Sequence, residues 1–180
     1  LERRKLAGQP LASVASVASF FLSRIETQVD EQLREKLAGG MAKAERLLGK
    51  CAIANGKIAY RRFKELTSSG RWRALEGAGA RPQRLLWAST STKNPAYDDL
   101  MYVEPLIGPQ TINTLPRRTI AAFAEHGKVT ASLEQGSDAA IQIMRDLQRA
   151  GIDVPQVTRR LLDDGITKFV DSLNDILQTI

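Results

Sequence analysis

Two segments of this 180-residue chain place hydroxyl side chains just ahead of a single cation. They are Ser19-Phe20-Phe21-Leu22-Ser23-Arg24 and Ser89-Thr90-Ser91-Thr92-Lys93-Asn94. Each accompanies a short apolar run, so each falls where a strand would end. In parallel α/β architectures ligands bind at such strand ends, because backbone groups and side chains converge there. Neighbouring parallel strands lie about 4.8 Å apart, close enough for two long cationic side chains to meet on one anion. A phosphate monoester suits that pair. It carries close to two negative charges, and its oxygens match a guanidinium fork while hydroxyls complete the shell. The competing reading makes Arg24 and Lys93 ordinary solvated charges.

Lys93 also has the chemistry of a Schiff-base nucleophile, provided its amine is desolvated and pushed toward neutral pH by a cation such as Arg24. The surrounding STSTKNP is polar, which keeps an ammonium charged and suits it to binding. With only Cys51 and His126, the chain cannot assemble a Cys/His metal cluster or an internal disulfide. Cys51 lies on an apolar helical stripe and is expected to be a small buried hydrophobe; His126 precedes Gly127 at an apparent helix end. There is no GxxxxGK[ST] and no GxGxxG, and Gly77-Ala78-Gly79 lacks both the third glycine and a preceding strand. Asp98-Asp99 and Asp163-Asp164 are adjacent pairs, which on a helix point about 100° apart and suit solvated faces.

The elements that must position these groups are marked by hydrophobic pattern. Ala12 to Leu22, ASVASVASFFL, is a charge-free run of small and β-branched residues that predicts a strand buried on both faces. Ile25, Val29, Leu33 and Leu37 recur every fourth residue and predict a helix stopped by Gly39-Gly40. A second stripe from Leu47 to Leu66 predicts another helix, weakened by Gly49 and Gly56, and Arg71 to Gln83 reads as a connection. Arg84 to Ser89 predicts the second strand, Thr111 to Leu115 the third, and Tyr97 to Gly108 a partly helical segment between them. Pro116 opens a helix over Arg117 to Glu125; two more are predicted over Ser137 to Ala150 and from Val157 to Leu177. Strands alternating with helices imply α/β architecture with a parallel sheet.

The chain fits one domain and is short for a complete eight-stranded barrel, which runs to about 250 residues. It begins with Leu1, leaving room for a natural start upstream. Residues 1–90 carry 17 basic and 8 acidic side chains, residues 91–180 carry 9 and 12, so the first half attracts anions. Nucleic acid is one such anion: Tyr60-Arg61-Arg62, Lys64, Arg71-Trp72-Arg73 and Arg81 mix cations with rings that could stack on bases. Glu65 and Glu76 interrupt that patch and no nucleic-acid motif accompanies it. The alternative function is therefore a noncatalytic anion- or RNA-binding α/β module using the basic half. The uncharged stretch between Lys5 and Arg24 contains Pro10 and several serines, too polar for a membrane span, and a cytoplasmic protein is expected.

Longer stretches carry a family likeness. VASVASFFLSRIETQVD, GKCAIANGKIAY, RPQRLLWASTSTKNPAYDDLMYVEPLIGPQTINTLP and GIDVPQVTRRLLDDGITKFVDSL resemble the C-terminal part of transaldolase. The likeness is to the bacterial branch, in which the enzyme stands alone or is fused ahead of a glucose-6-phosphate isomerase. It extends over nearly the whole chain, and WASTSTKNP with YVEPLIGPQTINTLP is its most specific part.

The resemblance implies a (β/α)8 barrel of which residues 1–180 form one partial domain, holding strands six, seven and eight and a long C-terminal helix. It implies a transferase of the pentose phosphate pathway that needs no cofactor or metal. Such an enzyme moves a dihydroxyacetone unit from sedoheptulose 7-phosphate to glyceraldehyde 3-phosphate, giving erythrose 4-phosphate and fructose 6-phosphate. The family's Schiff-base lysine lies on the fourth strand and its proton-transferring carboxylates on the first and third, so no catalytic residue is expected in this chain and an N-terminal half should lie upstream. Residue by residue, the sixth-strand serine falls on Ser19, the aromatic after it on Phe21 and the phosphate-binding arginine on Arg24. The seventh-strand serine falls on Ser91. The second phosphate-binding cation falls on Lys93, where many transaldolases have arginine. Sugar phosphates are then the partners, with neither nucleic acid nor membrane, and an isomerase domain is a possible downstream fusion.

Overall fold

The computed structural model describes residues 1–179; Ile180, the last residue of the expected domain, lies outside them. Its centre is an all-parallel sheet of three strands in chain order, β1 (Val17–Phe21), β2 (Arg84–Ala88) and β3 (Thr111–Asn113). The helices are α1 (Glu2–Leu6), α2 (Leu22–Ala38), α3 (Cys51–Thr67), α4 (Gly70–Glu76), α5 (Arg117–His126), α6 (Ser137–Arg149) and α7 (Val154–Thr179). Short 3-10 turns lie at Ala42–Leu47 and Glu104–Leu106.

The two faces of the sheet differ, and the difference follows from side-chain alternation. Phe20 pairs in register with Trp87, and their rings meet edge to face at 5.8 Å. Trp87 is 1% exposed and donates its indole N–H to the Leu106 carbonyl at 3.1 Å, which satisfies the one polar atom it takes into the core. Around it pack Leu22, Val29 and Leu33 of α2, Cys51 and Ala52 of α3, and Leu147 of α6. Gly56 lets α3 approach this centre: a Cβ there would stand 3.2 Å from Leu106 and 3.6 Å from the Trp87 ring.

On the other face Val17 and Phe21 are 42% and 43% exposed, and Ser19 between them is exposed too. The expectation that the first strand is buried on both faces is thus corrected. The helical core lies under Ala18 and Phe20 and leaves Val17, Ser19 and Phe21 uncovered.

The strand is also shorter than its apolar run. Val14 donates to the Leu11 carbonyl in a turn, and Leu11 joins a separate small cluster with Leu75 and Ala80. The stripe from Leu47 to Leu66 divides at Gly49, whose φ of +70° ends the 3-10 turn before α3 begins at Cys51. The expected connection from Arg71 onward contains α4, started by Ser69, whose hydroxyl accepts the Trp72 N–H at 3.2 Å.

Trp87→Ala should lower the unfolding free energy by about 3–5 kcal/mol, since it removes the central ring and leaves a cavity. Urea denaturation followed by circular dichroism measures this. A loss below 1 kcal/mol would show that the core does not depend on that ring.

Candidate functional site

The carboxyl ends of β1 and β2 lie side by side because the strands pair from Val17–Arg84 to Phe21–Ala88. Beyond β1 there is no loop: the chain turns directly into α2 at Leu22, which puts Arg24 in the first helical turn. Its guanidinium lies over the Phe21 ring, 4.7 Å from the centroid. That first turn holds no acidic residue, so a cation sits at the positive end of the helix dipole. Such a placement is locally unfavourable and becomes favourable when an anion binds.

Beyond β2, Ser89 adopts a left-handed backbone with φ of 54°. Its carbonyl accepts the Ser23 N–H at 3.0 Å, and the two serine hydroxyls are 2.7 Å apart. These bonds fasten the two strand ends together. The chain then passes through buried Thr90 and Ser91, and Lys93 Nζ donates to Ser91 Oγ at 3.2 Å. Lys93 itself is exposed.

Arg24 and Lys93 line one cavity of about 290 Å³ together with Ser23, Thr27, Gly165 and Lys168. A larger apolar cavity of about 620 Å³ adjoins it, lined by Ser19, Phe21 and Arg24 on one side and by Leu162, Ile166 and Phe169 of α7 on the other. A third, of about 460 Å³, shares Lys93 and is walled by Glu26, Asp30, Arg34 and Tyr97. Of the five residues singled out from sequence, Arg24 and Lys93 share the small cavity, Ser19 and Phe21 face the apolar one, and Ser91 holds Lys93 from beneath.

Sequence reasoning missed the contribution of α7. Lys168 and Asp164 both face the small cavity, with Gly165 between them. A Cβ at Gly165 would meet nothing within 4 Å, so the wall is open at that position. The available signal was this glycine inside an otherwise regular amphipathic pattern. Asp30 and Glu26 were missed as well, being carboxylates one position beyond the apolar stripe Ile25, Val29; both are buried. The Glu26 carboxylate accepts the N–H groups of Cys51 at 3.1 Å and Ala52 at 2.9 Å, capping α3. Burial nevertheless raises its pKa to about 7, with the nearby charge of Asp30 adding to the rise and the two N–H bonds opposing it.

Other groups have structural roles. The Cys51 thiol is wholly buried and its pKa is raised by burial, which keeps it protonated and inert. His126 ends α5 and bonds Asp99 at 3.1 Å, and that hydrogen bond raises its pKa. The basic, aromatic stretch offers no stacking platform. Tyr60 is buried against Phe63, and Trp72 packs on the Leu11 cluster. Arg61 and Arg62 share Glu65, Lys64 pairs with Glu134, and Arg71 with Glu2. No helix among the described residues is long and apolar enough to cross a membrane.

The class is α/β with a parallel sheet, and beyond its strand ends Arg24, Lys93 and Lys168 line one cavity. The family follows from comparison. The family model described as transaldolase/fructose-6-phosphate aldolase matches residues 4–180. A transaldolase of Trichodesmium erythraeum is 46% identical over the whole chain, which covers 49% of that relative. "Transaldolase 2" of a Nostoc species is likewise 46% identical, with 49% of it covered, and a transaldolase of Thermobifida fusca is 44% identical, with 48% covered. The chain belongs to the transaldolase/fructose-6-phosphate aldolase family, and it spans about half the length of the curated relatives it matches.

The raised pKa of Glu26 has a consequence for stability. Its folded value, about 7, exceeds its usual 4.5, so the stabilisation it brings is complete below the lower value and is lost as pH rises through the higher. The melting temperature should therefore fall between about pH 5 and pH 8, corresponding to roughly 1–3 kcal/mol. Glu26→Gln should flatten that slope; an unchanged slope would assign the pH dependence elsewhere.

Proposed function

We propose that this chain is the C-terminal part of a transaldolase barrel, supplying strands six to eight, and that it binds the phosphate of the sugar substrates. The observation that carries this reading is the shared cavity of Arg24 and Lys93. A sugar phosphate brings a dianion with several acceptor oxygens. Arg24 offers a planar fork of donors from a rigid helix turn, and Lys93 offers a point charge from the loop. With lysine rather than arginine at position 93, the second contact orients the phosphate through charge more than through paired bonds. Ser23 and Thr27 bring hydroxyls to the same wall. Lys168 adds a third cation from α7, with Asp164 next to it in the same cavity.

The reaction this reading assigns to the whole protein is transfer of a dihydroxyacetone unit between sugar phosphates through a Schiff base. The lysine and carboxylates for it come from upstream barrel strands. This reading gives Lys93, which is exposed and hydrogen-bonded to Ser91, the role of an anion contact and not of the nucleophile. Ser19 and Phe21 border the apolar cavity beside Arg24, and this reading gives the Ser19 hydroxyl, on the exposed face of β1, a contact with the sugar. Sugar-phosphate metabolism of this kind places the protein in the cytoplasm.

Joined downstream of the N-terminal half of the Trichodesmium erythraeum relative, residues 1–180 should give an active transaldolase. In that chimaera Arg24→Ala and Lys93→Ala should each raise KM for fructose 6-phosphate roughly 10- to 100-fold, the size of a lost charge-assisted hydrogen bond. Borohydride trapping of the Schiff base at saturating ketose should survive both changes. Unchanged KM in both variants would remove the phosphate pocket.

A further inference from the structure

Lys93 sits on a long connection between β2 and β3, and a cation on an exposed loop loses conformational freedom when it meets its ligand. Something must hold that loop in advance. Within it, Thr92 bonds the Asp98 carbonyl at 3.3 Å, and Asn94 accepts the Ala96 N–H at 3.0 Å while its own carbonyl accepts the Tyr97 N–H. These bonds shape the loop without fixing it to the body.

Two elements attach the loop to the body: α5, where Arg118 donates to the Thr92 carbonyl at 3.4 Å and His126 bonds Asp99, and α2, which is reached by Tyr97. Its hydroxyl donates to Asp30 Oδ2 at 2.5 Å, and Asp30 is a carboxylate only 2% exposed. The other oxygen of Asp30 accepts the Gly49 N–H at 3.0 Å, so the carboxylate is itself fixed. Gly49 also makes room for the tyrosine: a Cβ at that position would stand 3.0 to 3.3 Å from the Tyr97 ring. Asp30 belongs to α2, the helix whose first turn carries Arg24. Asp30 is six positions further along the helix than Arg24, about 9 Å along the axis. One rigid element thus carries the first cation and holds the loop of the second.

We propose that Asp30 and Tyr97 are positioning residues for Lys93, setting its ammonium against Arg24 across the phosphate cavity before substrate arrives. The proposal rests on the phosphate reading of the Arg24–Lys93 cavity and adds the device that keeps the cavity assembled. Tyr97 and Asp30 line the adjoining cavity, which shares Lys93 with the phosphate cavity. Thr27 lines both cavities as well, but among the described residues Lys93 is the one cation common to them, and the positioning role is assigned to it.

The test is a double-mutant cycle in the chimaera described above, read by steady-state kinetics with fructose 6-phosphate and by competitive inhibition with inorganic phosphate. Tyr97→Phe should raise KM about three- to tenfold and weaken phosphate inhibition by the same factor, with kcat within about twofold. Asp30→Asn should do the same; if it does not fold, Tyr97→Phe alone decides, since it leaves the Asp30–Gly49 bond in place. In a Lys93→Ala background, Tyr97→Phe should have no further effect on KM. A Tyr97→Phe penalty that adds in full to that of Lys93→Ala, or no penalty at all, overturns the positioning role. Should Lys93→Ala itself leave KM unchanged, the phosphate reading fails first, and the positioning role with it.

Discussion

The register of β1 on β2 is the constraint from which the site follows. Arg24 lies three residues beyond the end of one strand and Lys93 five beyond the end of the other, so their meeting depends on which residues of the two strands are paired. A slip of one residue would turn every side chain of β1 to the opposite face and expose Phe20 in place of Phe21. The pairing is held at two points of different chemistry. Phe20 against Trp87 fixes it in the core, and the Ser23–Ser89 bonds fix it at the carboxyl edge. The second point needs Ser89 in a left-handed backbone, a conformation that costs energy for a residue with a side chain. Strain at the strand end nearest the two cations fits a site whose geometry is enforced by its surroundings.

Electrostatics points the same way. Arg24 at a helix N-terminus and Lys93 and Lys168 around the same cavity repel one another; the first turn of α2 holds no acidic residue, and Asp164 of α7 is, among the described residues, the one carboxylate lining that cavity. Solvent screens these exposed charges, which keeps the cost small. Behind them, Glu26 and Asp30 are buried in the same helix, but their oxygens are committed to the N–H groups of α3 and of Gly49 and to the Tyr97 hydroxyl. These two acidic groups organise the backbone, while Arg24 and Lys93 line the cavity in front of them. A local arrangement that opposes helix electrostatics is expected where function requires it.

Much of this was legible in the residues. The three strands, the parallel order and the pairing of SFFLSR with STSTK at neighbouring strand ends follow from apolar runs, breakers and hydroxyl-cation spacing. The buried state of Cys51 follows from its stripe. What could not be read were interactions between distant segments. Asp30 is 67 residues from Tyr97, and its role is invisible in a pattern that shows only a polar residue beside an apolar stripe. Lys168 looks like any cation on a solvated helix face until α7 is laid along α2. Gly49 seemed to weaken a helix; its positive φ instead ends one element and clears space for the tyrosine ring. The first strand was overextended because an apolar run cannot tell a sheet from the turn that leads Leu11 into its own small cluster.

The uncovered surfaces bear on the barrel reading. A barrel pairs every strand on both sides and turns alternate residues inward. Here β1 and β3 form the edges of the sheet among the described residues, and the row Val17, Ser19, Phe21 faces outward. Along α7, Leu162, Ile166, Phe169 and Leu173 recur at helical spacing, yet each is more than half exposed, Phe169 at 79%. Such a stripe is large for a self-contained protein and ordinary for one face of an interface. The apolar cavity lies between these two surfaces, and Arg24 stands at its border with the cavity that Lys93 lines. On the proposed reading, the strands that bring the Schiff-base lysine close against the same face. Covering it would lower the local dielectric around Arg24 and strengthen its hold on a phosphate, so folding of the two halves and substrate affinity would be coupled through one surface.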